Sequence, residues 1–451
     1  MDRPIRTEDD LLAIFHDACS GNQLLGVESE KFGVVRGTFA PVRYEGAGAS
    51  IETIFAELRA RFGWLPLSEK AGAPVVALER TGRNGRIAQI TLEPGAQLEL
   101  SGEALPDVHR VEEENDEHLR EVAAACEGLD IAWLGVGFHP LARQEDLPWV
   151  PKDRYAVMRA YFPTRGSRGL DMMRRTATVQ VNLDFSSEAD AMRKLRIGMK
   201  LAPIVTAIFA NSPLVEGART GRVCERASVW LDADPDRTGL LPQLWREDAT
   251  FRDYAEWALD VPMYLFKREG KVYANTGQSF RAFWKDGFQG ERPTTTDWKM
   301  HLATVFPEVR LKTTLEMRGV DSQPKSTYAA LAALWAGLLY DAKALDEAEQ
   351  LVAPLTHDEL LRARGDVAQR SLAASVGAHR VQALAEQVLD LARAGLVRRA
   401  KMDASGHDES RYLDGIAALT GQGRSPAHRL LEALPEDPTP DSILVAAGVE
   451  R

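Results

Sequence analysis

The stretch 91–102, "TLEPGAQLELSG", carries the alternation from which the fold follows. Glu93, Gln97 and Glu99 fall on odd positions, and Leu92, Leu98 and Leu100 on even ones. In an extended strand that spacing puts the polar side chains on one face and the leucines on the other. Pro94-Gly95 interrupts the run, as a bulge or a tight bend does. Taken alone, such a strand is the wet side of an antiparallel sheet, which commonly packs one face and solvates the other.

Three more stretches repeat the pattern. In "GVESEKFGV" (26–34) the even positions carry Glu28 and Glu30. In "VQVNLDF" (179–185) they carry Gln180, Asn182 and Asp184, opposite Val179, Val181, Leu183 and Phe185. In "RLKTTLEMRG" (310–319) they carry Arg310, Lys312, Thr314, Glu316 and Arg318, opposite Leu311, Leu315 and Met317. Carboxylates have poor strand propensity, yet Glu28, Glu30, Glu93, Glu99 and Glu316 recur with few lysines to compensate them. Carboxylates side by side repel and raise one another's pKa unless a cation lies between them. Hard oxygen ligands in that number suit Mg²⁺, which keeps waters and shares its shell with phosphates. On the residues alone, a solvated sheet face and a metal site both remain open. Arg174, Arg175, Arg237 in "DADPDRTG" (232–239), Arg310, Lys312 and Arg318 could grip phosphate or carboxylate groups. For any one of them a surface ion pair is the commoner explanation.

The 451 residues suffice for one large domain or two to three ordinary ones. A formal net charge of −11 argues against nucleic acid as a partner, because phosphate-backbone binders need a basic surface. Cys19, Cys126 and Cys224 form no CxxC pair and no zinc spacing, so free thiols in a reducing compartment are expected. The start "MDRPIRTEDD" is too acidic for a secretory signal, and the apolar run at 328–340 is too short for a bilayer. A cytoplasmic protein with no membrane partner is the expectation. No phosphate-binding GxxxxGK[ST] loop, GxGxxG turn, HExxH or GxSxG motif occurs. His139, beside Pro140, reads as structural, and His301 as helix surface or core.

Strand-like pieces at 25–35, 90–100, 131–140, 177–185, 263–274 and 309–319 alternate with helix signals. Ser50 opens a helix in "SIETIFAELRARFGW" (50–64), and Ser186-Ser187 open another at 186–210, which Pro203 should kink or split. Beyond Asp321 the chain reads as helices with no clear strand. One domain over 1–451 is expected, mixed α+β over 1–321 and mainly helical over 322–451, since no flexible linker marks a boundary.

These motifs together resemble the glutamate–cysteine ligase family of the plant and proteobacterial type. The stretches that carry the resemblance include "GVESEKFGV", "ITLEPGAQLELSG" (90–102), "DLPWVPKDRYAVMRAYFP" (146–163), "GLDMMRRTATVQVNLDFSSEADAMRK" (169–194), "DPDRTGLLP" (234–242) and "FPEVRLKTTLEMRGVD" (306–321). The resemblance implies an α+β fold related to glutamine synthetase, with a curved antiparallel sheet forming a funnel-like site flanked by helices. It implies ATP-dependent joining of the L-glutamate γ-carboxyl to the L-cysteine amine through a γ-glutamyl phosphate. A monomer or a homodimer is expected, and the sequence does not choose between them. Mg²⁺ would be held by Glu28, Glu30, Glu93, Glu99 and Glu316. Gln97 and Gln180 would be neutral ligands or orienting groups beside Arg310 and Lys312 at the nucleotide. Arg175, Arg237 and Arg318 would grip the glutamate carboxylate or offset transition-state charge, and Tyr264 and Trp298 would line the substrate pocket. Plant members carry cysteines for redox-linked disulfides; the three cysteines here lie elsewhere, so control of that kind is not expected. A relative with another amine acceptor, or a non-catalytic nucleotide or metal sensor on the same fold, are the rival readings.

Overall fold

The structure is a computed structural model and describes residues 2–450. Among these, nine strands form one open antiparallel sheet: β1 (Leu25–Val35), β2 (Leu65–Ser68), β3 (Val75–Thr81), β4 (Ile87–Leu92), β5 (Leu98–Ser101), β6 (Ile131–Leu134), β7 (Thr178–Leu183), β8 (Val309–Leu311) and β9 (Leu315–Asp321). The order is β8–β9–β7–β1–β5–β4–β3–β2, and β6 pairs with the far half of β1.

Two stretches expected to be single strands are hairpins instead. "TLEPGAQLELSG" turns back between β4 and β5, where the Ala96 N–H donates to the Glu93 carbonyl at 2.9 Å and the Glu93 N–H to the Gln97 carbonyl at 3.0 Å. Gly95 is required there, because a Cβ on it would stand 2.6 Å from the Arg174 carbonyl. "RLKTTLEMRG" turns between β8 and β9, with the Lys312 N–H donating to the Thr314 carbonyl at 3.0 Å. The alternation survives both turns. Residues opposite each other in an antiparallel pair point to the same side. The partners are Thr91 with Glu99 and Arg310 with Glu316, so odd stays with odd and even with even.

The apolar face of the sheet is buried by helices. Five matter most: α1 (Ile51–Phe62), α2 (Val108–Ala125), α3 (Glu188–Ile208), α4 (Lys325–Leu339) and α5 (Val381–Arg399). Val27, Val179, Val181, Leu183, Leu315 and Met317 pack in one cluster with α3 and α4. Leu78, Ile90, Leu92 and Leu98 pack in another with Ile54, Phe55 and Leu58 of α1. Every residue of α4 from Thr327 to Leu339 is buried, the pattern of a core helix. Ser50 caps α1 by accepting the Thr53 N–H, and Gly63 ends it at φ 73. Ser187 caps α3 in the same way, but α3 runs through Pro203 unbroken, so the expected split is absent. The proline removes one N–H from the helix, and the neighbours that bury it on every side hold the helix together.

The first cluster draws on residues from Ile5 to Leu419, on both sides of Asp321. Beyond Asp321 the named elements among the described residues are helices, apart from the two-residue pairing of Ser375–Val376 with His379–Arg380. The stretch 263–274 forms a separate small hairpin, Phe266–Arg268 with Lys271–Tyr273. Strands β2 and β3 have no counterpart among the expected elements. His139 and His301 are buried and structural: His139 Nδ1 accepts from the Ala142 N–H, and His301 Nε2 meets the Ala258 carbonyl at 2.7 Å. Among the described residues no helix is long and apolar enough to cross a membrane, and the three cysteines are free.

Candidate active site

The strand register builds the polar face row by row. Glu30 on β1 lies opposite Glu99 on β5, which lies opposite Thr91 on β4. Two residues along β1, Glu28 lies between Ser101 of β5 and Gln180 of β7. In the next row Asn182 of β7 faces Glu316 of β9, which faces Arg310 of β8. Glu93 joins from the β4–β5 turn. The carboxylate oxygens of Glu30, Glu93 and Glu99 lie within 4.8 Å of one another at a cavity of about 400 Å³.

Neighbouring groups aim these carboxylates. Glu30 accepts the Thr178 N–H at 3.0 Å, Glu99 accepts the Ser101 hydroxyl at 2.7 Å, and Glu28 accepts the Asn182 amide at 3.0 Å. Burial, reinforced by the charges of Glu93 and Glu99, pushes Glu30 well above the usual carboxylate range. Burial and Glu93 raise Glu99. Burial, then Glu316 and Glu99, push Glu28 up to about 7. Three carboxylates whose negative charges oppose one another, with no sulfur or imidazole ligand among them, fit a hard divalent cation such as Mg²⁺.

Glu316 behaves differently. Burial works to raise it, but Arg310, Lys312 and Arg318 outweigh burial and hold it well below the usual range. Its oxygens take both Nε (2.7 Å) and Nη2 (2.8 Å) of Arg310, Lys312 Nζ at 3.1 Å, and Arg318 Nη1. Its charge is already matched three times over, so it anchors the cations and stands apart from the three-carboxylate cluster.

Of the other residues singled out from the sequence, Gln97, Gln180, Arg310, Lys312 and Arg318 line the cavity. Gln97 spends its amide on backbone: its oxygen accepts the Gly95 N–H, and its nitrogen donates to the Met173 and Thr176 carbonyls. It holds the turn that places Glu93. Gln180 accepts from Arg318. Arg175, Arg237, Tyr264 and Trp298 do not line the cavity, contrary to expectation, and each has partners elsewhere. Arg175 lies over Phe138 and pairs with Asp171 and Glu216. Arg237 is fully buried; it bonds Asp234 and the Thr304 and Pro262 carbonyls and stacks over Tyr264. Trp298 sits in the core and donates its indole N–H to the Leu11 carbonyl at 3.0 Å.

Three cations that the alternation could not reveal also line the cavity: Lys152, Arg154 and Arg226. Lys152 Nζ donates to the Leu92 carbonyl (2.7 Å), Arg154 to the Tyr155 hydroxyl (3.2 Å) and Arg226 to the Arg318 carbonyl (2.9 Å). Among the described residues none of the three has a carboxylate at ion-pair distance, as a receptor for an outside anion requires. Burial and the adjacent Arg154 push Lys152 down to about 8 against the pull of Glu93 and Glu99.

The fold is that of a group of known ligases. The glutamate–cysteine ligase of Francisella tularensis, solved in complex with AMP, matches with a TM-score of 0.56 at 12% identity, over 95% of this chain and 88% of that one. A bifunctional glutathione synthetase from Pasteurella multocida matches with a TM-score of 0.50 at 11% identity, over 97% of this chain and 52% of that one. The model of glutamate–cysteine ligase family 2 matches residues 24–446. The chloroplastic glutamate–cysteine ligases of Brassica juncea and Arabidopsis thaliana are each 42% identical over 94% of this chain, covering 80% and 79% of their own lengths. The chain belongs to glutamate–cysteine ligase family 2. These relatives also correct one expectation: they are named chloroplastic, which overturns the expected cytoplasmic location.

Proposed function

We infer that this chain joins the γ-carboxyl of L-glutamate to the amine of L-cysteine at the expense of ATP, the first step of glutathione synthesis. The observation that carries this is the 42% identity to named glutamate–cysteine ligases over 94% of the chain. The site geometry supports it: a cluster of carboxylates for a cation shares its cavity with Lys152, Arg154 and Arg226, which have no carboxylate at ion-pair distance among the described residues.

The reaction must bring a carboxylate to a polyphosphate, and both are anions. Glu30, Glu93 and Glu99 would hold Mg²⁺, which would supply positive charge to offset that of the phosphates. Lys152, Arg154, Arg226 and Arg318 draw the two anions together and stabilise the charge that develops in transfer. Glu316 keeps Arg310, Lys312 and Arg318 in place, and Gln180 orients Arg318. A γ-carboxylate oxygen of glutamate attacks the terminal phosphorus, and the bond to the bridging oxygen breaks with its electron pair leaving on ADP. The cysteine nitrogen then attacks the acyl carbon of the γ-glutamyl phosphate. The carbon–oxygen bond breaks toward phosphate, which takes up the proton lost from the amine.

The test is ADP release with ATP, Mg²⁺ and L-glutamate against a panel of amine acceptors. Turnover with L-cysteine is expected. No turnover with cysteine, combined with turnover on another amine, would overturn the acceptor assignment.

A further inference from the structure

Arg226 is buried, borders the cavity and lacks a carboxylate partner. It sits in the short helix Glu225–Trp230, whose N-cap residue, Cys224, makes no side-chain cap bond. The first N–H groups of a helix have no partner within it. Here Ser212, distant in sequence, supplies both acceptors. Its carbonyl accepts the Glu225 N–H at 3.0 Å, and its hydroxyl accepts the Arg226 N–H at 3.1 Å.

Ser212 is in turn fixed by Asp321, the last residue of β9. The fully buried Asp321 carboxylate accepts the Ser212 hydroxyl at 2.7 Å, the Asn211 N–H at 2.6 Å and the Cys224 thiol at 3.3 Å. Arg226 then closes the circuit, donating from Nη2 to the carbonyl of Arg318, also on β9. Both ends of the chain of bonds therefore rest on the strand that carries Glu316 and Arg318. Gly137 permits the approach, since a Cβ there would stand 2.2 Å from the Asp321 carboxyl carbon. Arg226 and Arg318 are also the cations that act on Glu30, one of the three clustered carboxylates.

We propose that Arg226 grips the phosphates of ATP beside Glu30, and that Asp321 and Ser212 are the positioning residues that present it. This rests on the proposed cation site, because Arg226 and Glu30 line the same cavity, where phosphates that share the cation would meet both. A short helix with its first N–H groups unpaired would let the guanidinium wander. The bonds to Asp321 tie it to the sheet that carries the carboxylates.

Steady-state kinetics on the full chain tests this with Arg226→Ala, Ser212→Ala, Ser212→Thr and the Arg226→Ala/Ser212→Ala double variant. Arg226→Ala should raise the KM for ATP about tenfold or more, the scale of a charge-assisted hydrogen bond. Ser212→Ala should raise it about fivefold with little change in the KM for cysteine, and Ser212→Thr should restore it. In the Arg226→Ala background, Ser212→Ala should add nothing, because the pair acts as a unit. An unchanged KM for ATP in Arg226→Ala would overturn the phosphate role of Arg226 itself. A raised KM there, with no effect of Ser212→Ala or with effects that multiply in the double variant, would overturn the positioning role alone. Should Ser212→Ala fail to fold, Asp321→Asn puts the same question at the other end of the bond and is read by the same outcomes.

Discussion

Neutralising Glu93 should move stability and activity in opposite directions. Its carboxylate lies within 4.8 Å of those of Glu30 and Glu99. At that separation two unit charges repel by about 3 kcal/mol for an effective dielectric of ~20. Glu93 takes part in two such pairs, but its partners already sit above the usual carboxylate range, so protonation relieves part of the repulsion. Glu93→Gln should therefore stabilise the protein in chelator by about 1–2 kcal/mol, which for a chain of this size raises the Tm by about 1–2 °C. With Mg²⁺ and ATP the sign reverses, because a ligand of the cation has lost its charge. Turnover should fall by about 100-fold or more. Thermal scans with chelator and with Mg²⁺, paired with ADP-release assays, read both effects. A Glu93→Gln protein that is less stable in chelator and keeps its Mg²⁺-dependent turnover would refute the cluster as a cation site.

Three further outcomes follow from particular contacts. Glu316→Gln removes the buried carboxylate that Arg310, Lys312 and Arg318 share, and should cost about 3–5 kcal/mol in urea unfolding. A loss under about 1 kcal/mol would mean that the cations have other partners. Tyr264→Phe removes a buried hydroxyl that has no hydrogen-bond partner among the described residues, so stability should hold or rise and the KM for cysteine should not move. A raised KM would return Tyr264 to the substrate pocket. On α2, burial and then Asp116 push Glu112 from 4.5 up to about 7, so the folded protein keeps a proton that the unfolded chain releases. That contribution is complete below pH 4.5 and is lost as pH rises to about 7. Glu112→Gln should therefore gain about 3 kcal/mol at pH 8 and nothing at pH 4; parallel stability profiles for variant and parent would count against it.

The polar face was legible because parity is a local property. Glu93 and Glu99, or Arg310 and Glu316, share a side whether the chain between them is straight or folded back, so alternation found them even where it mistook a hairpin for a strand. It could not tell a carboxylate that holds a cation from one saturated by arginines, since Arg310 reaches Glu316 only across the β8–β9 pair. It could not see Lys152, Arg154 or Arg226 either. These lie at the starts of two short helices, where no period marks the side that faces the site. Arg237, Tyr264 and Trp298 carried the right chemistry for a pocket, but they spend it on one another and on backbone carbonyls distant in sequence. Strands β2 and β3 escaped because β2, at the sheet edge, is largely exposed and lacks the alternating burial that marks the others.

The most direct test of the central chemistry follows oxygen. L-Glutamate labelled with ¹⁸O in its γ-carboxyl is turned over with ATP, Mg²⁺ and L-cysteine, and the released phosphate is analysed by mass. Attack by the carboxylate on phosphorus predicts one labelled oxygen in each phosphate formed. Phosphate released without label, with γ-glutamylcysteine still produced, would contradict transfer through an acyl phosphate.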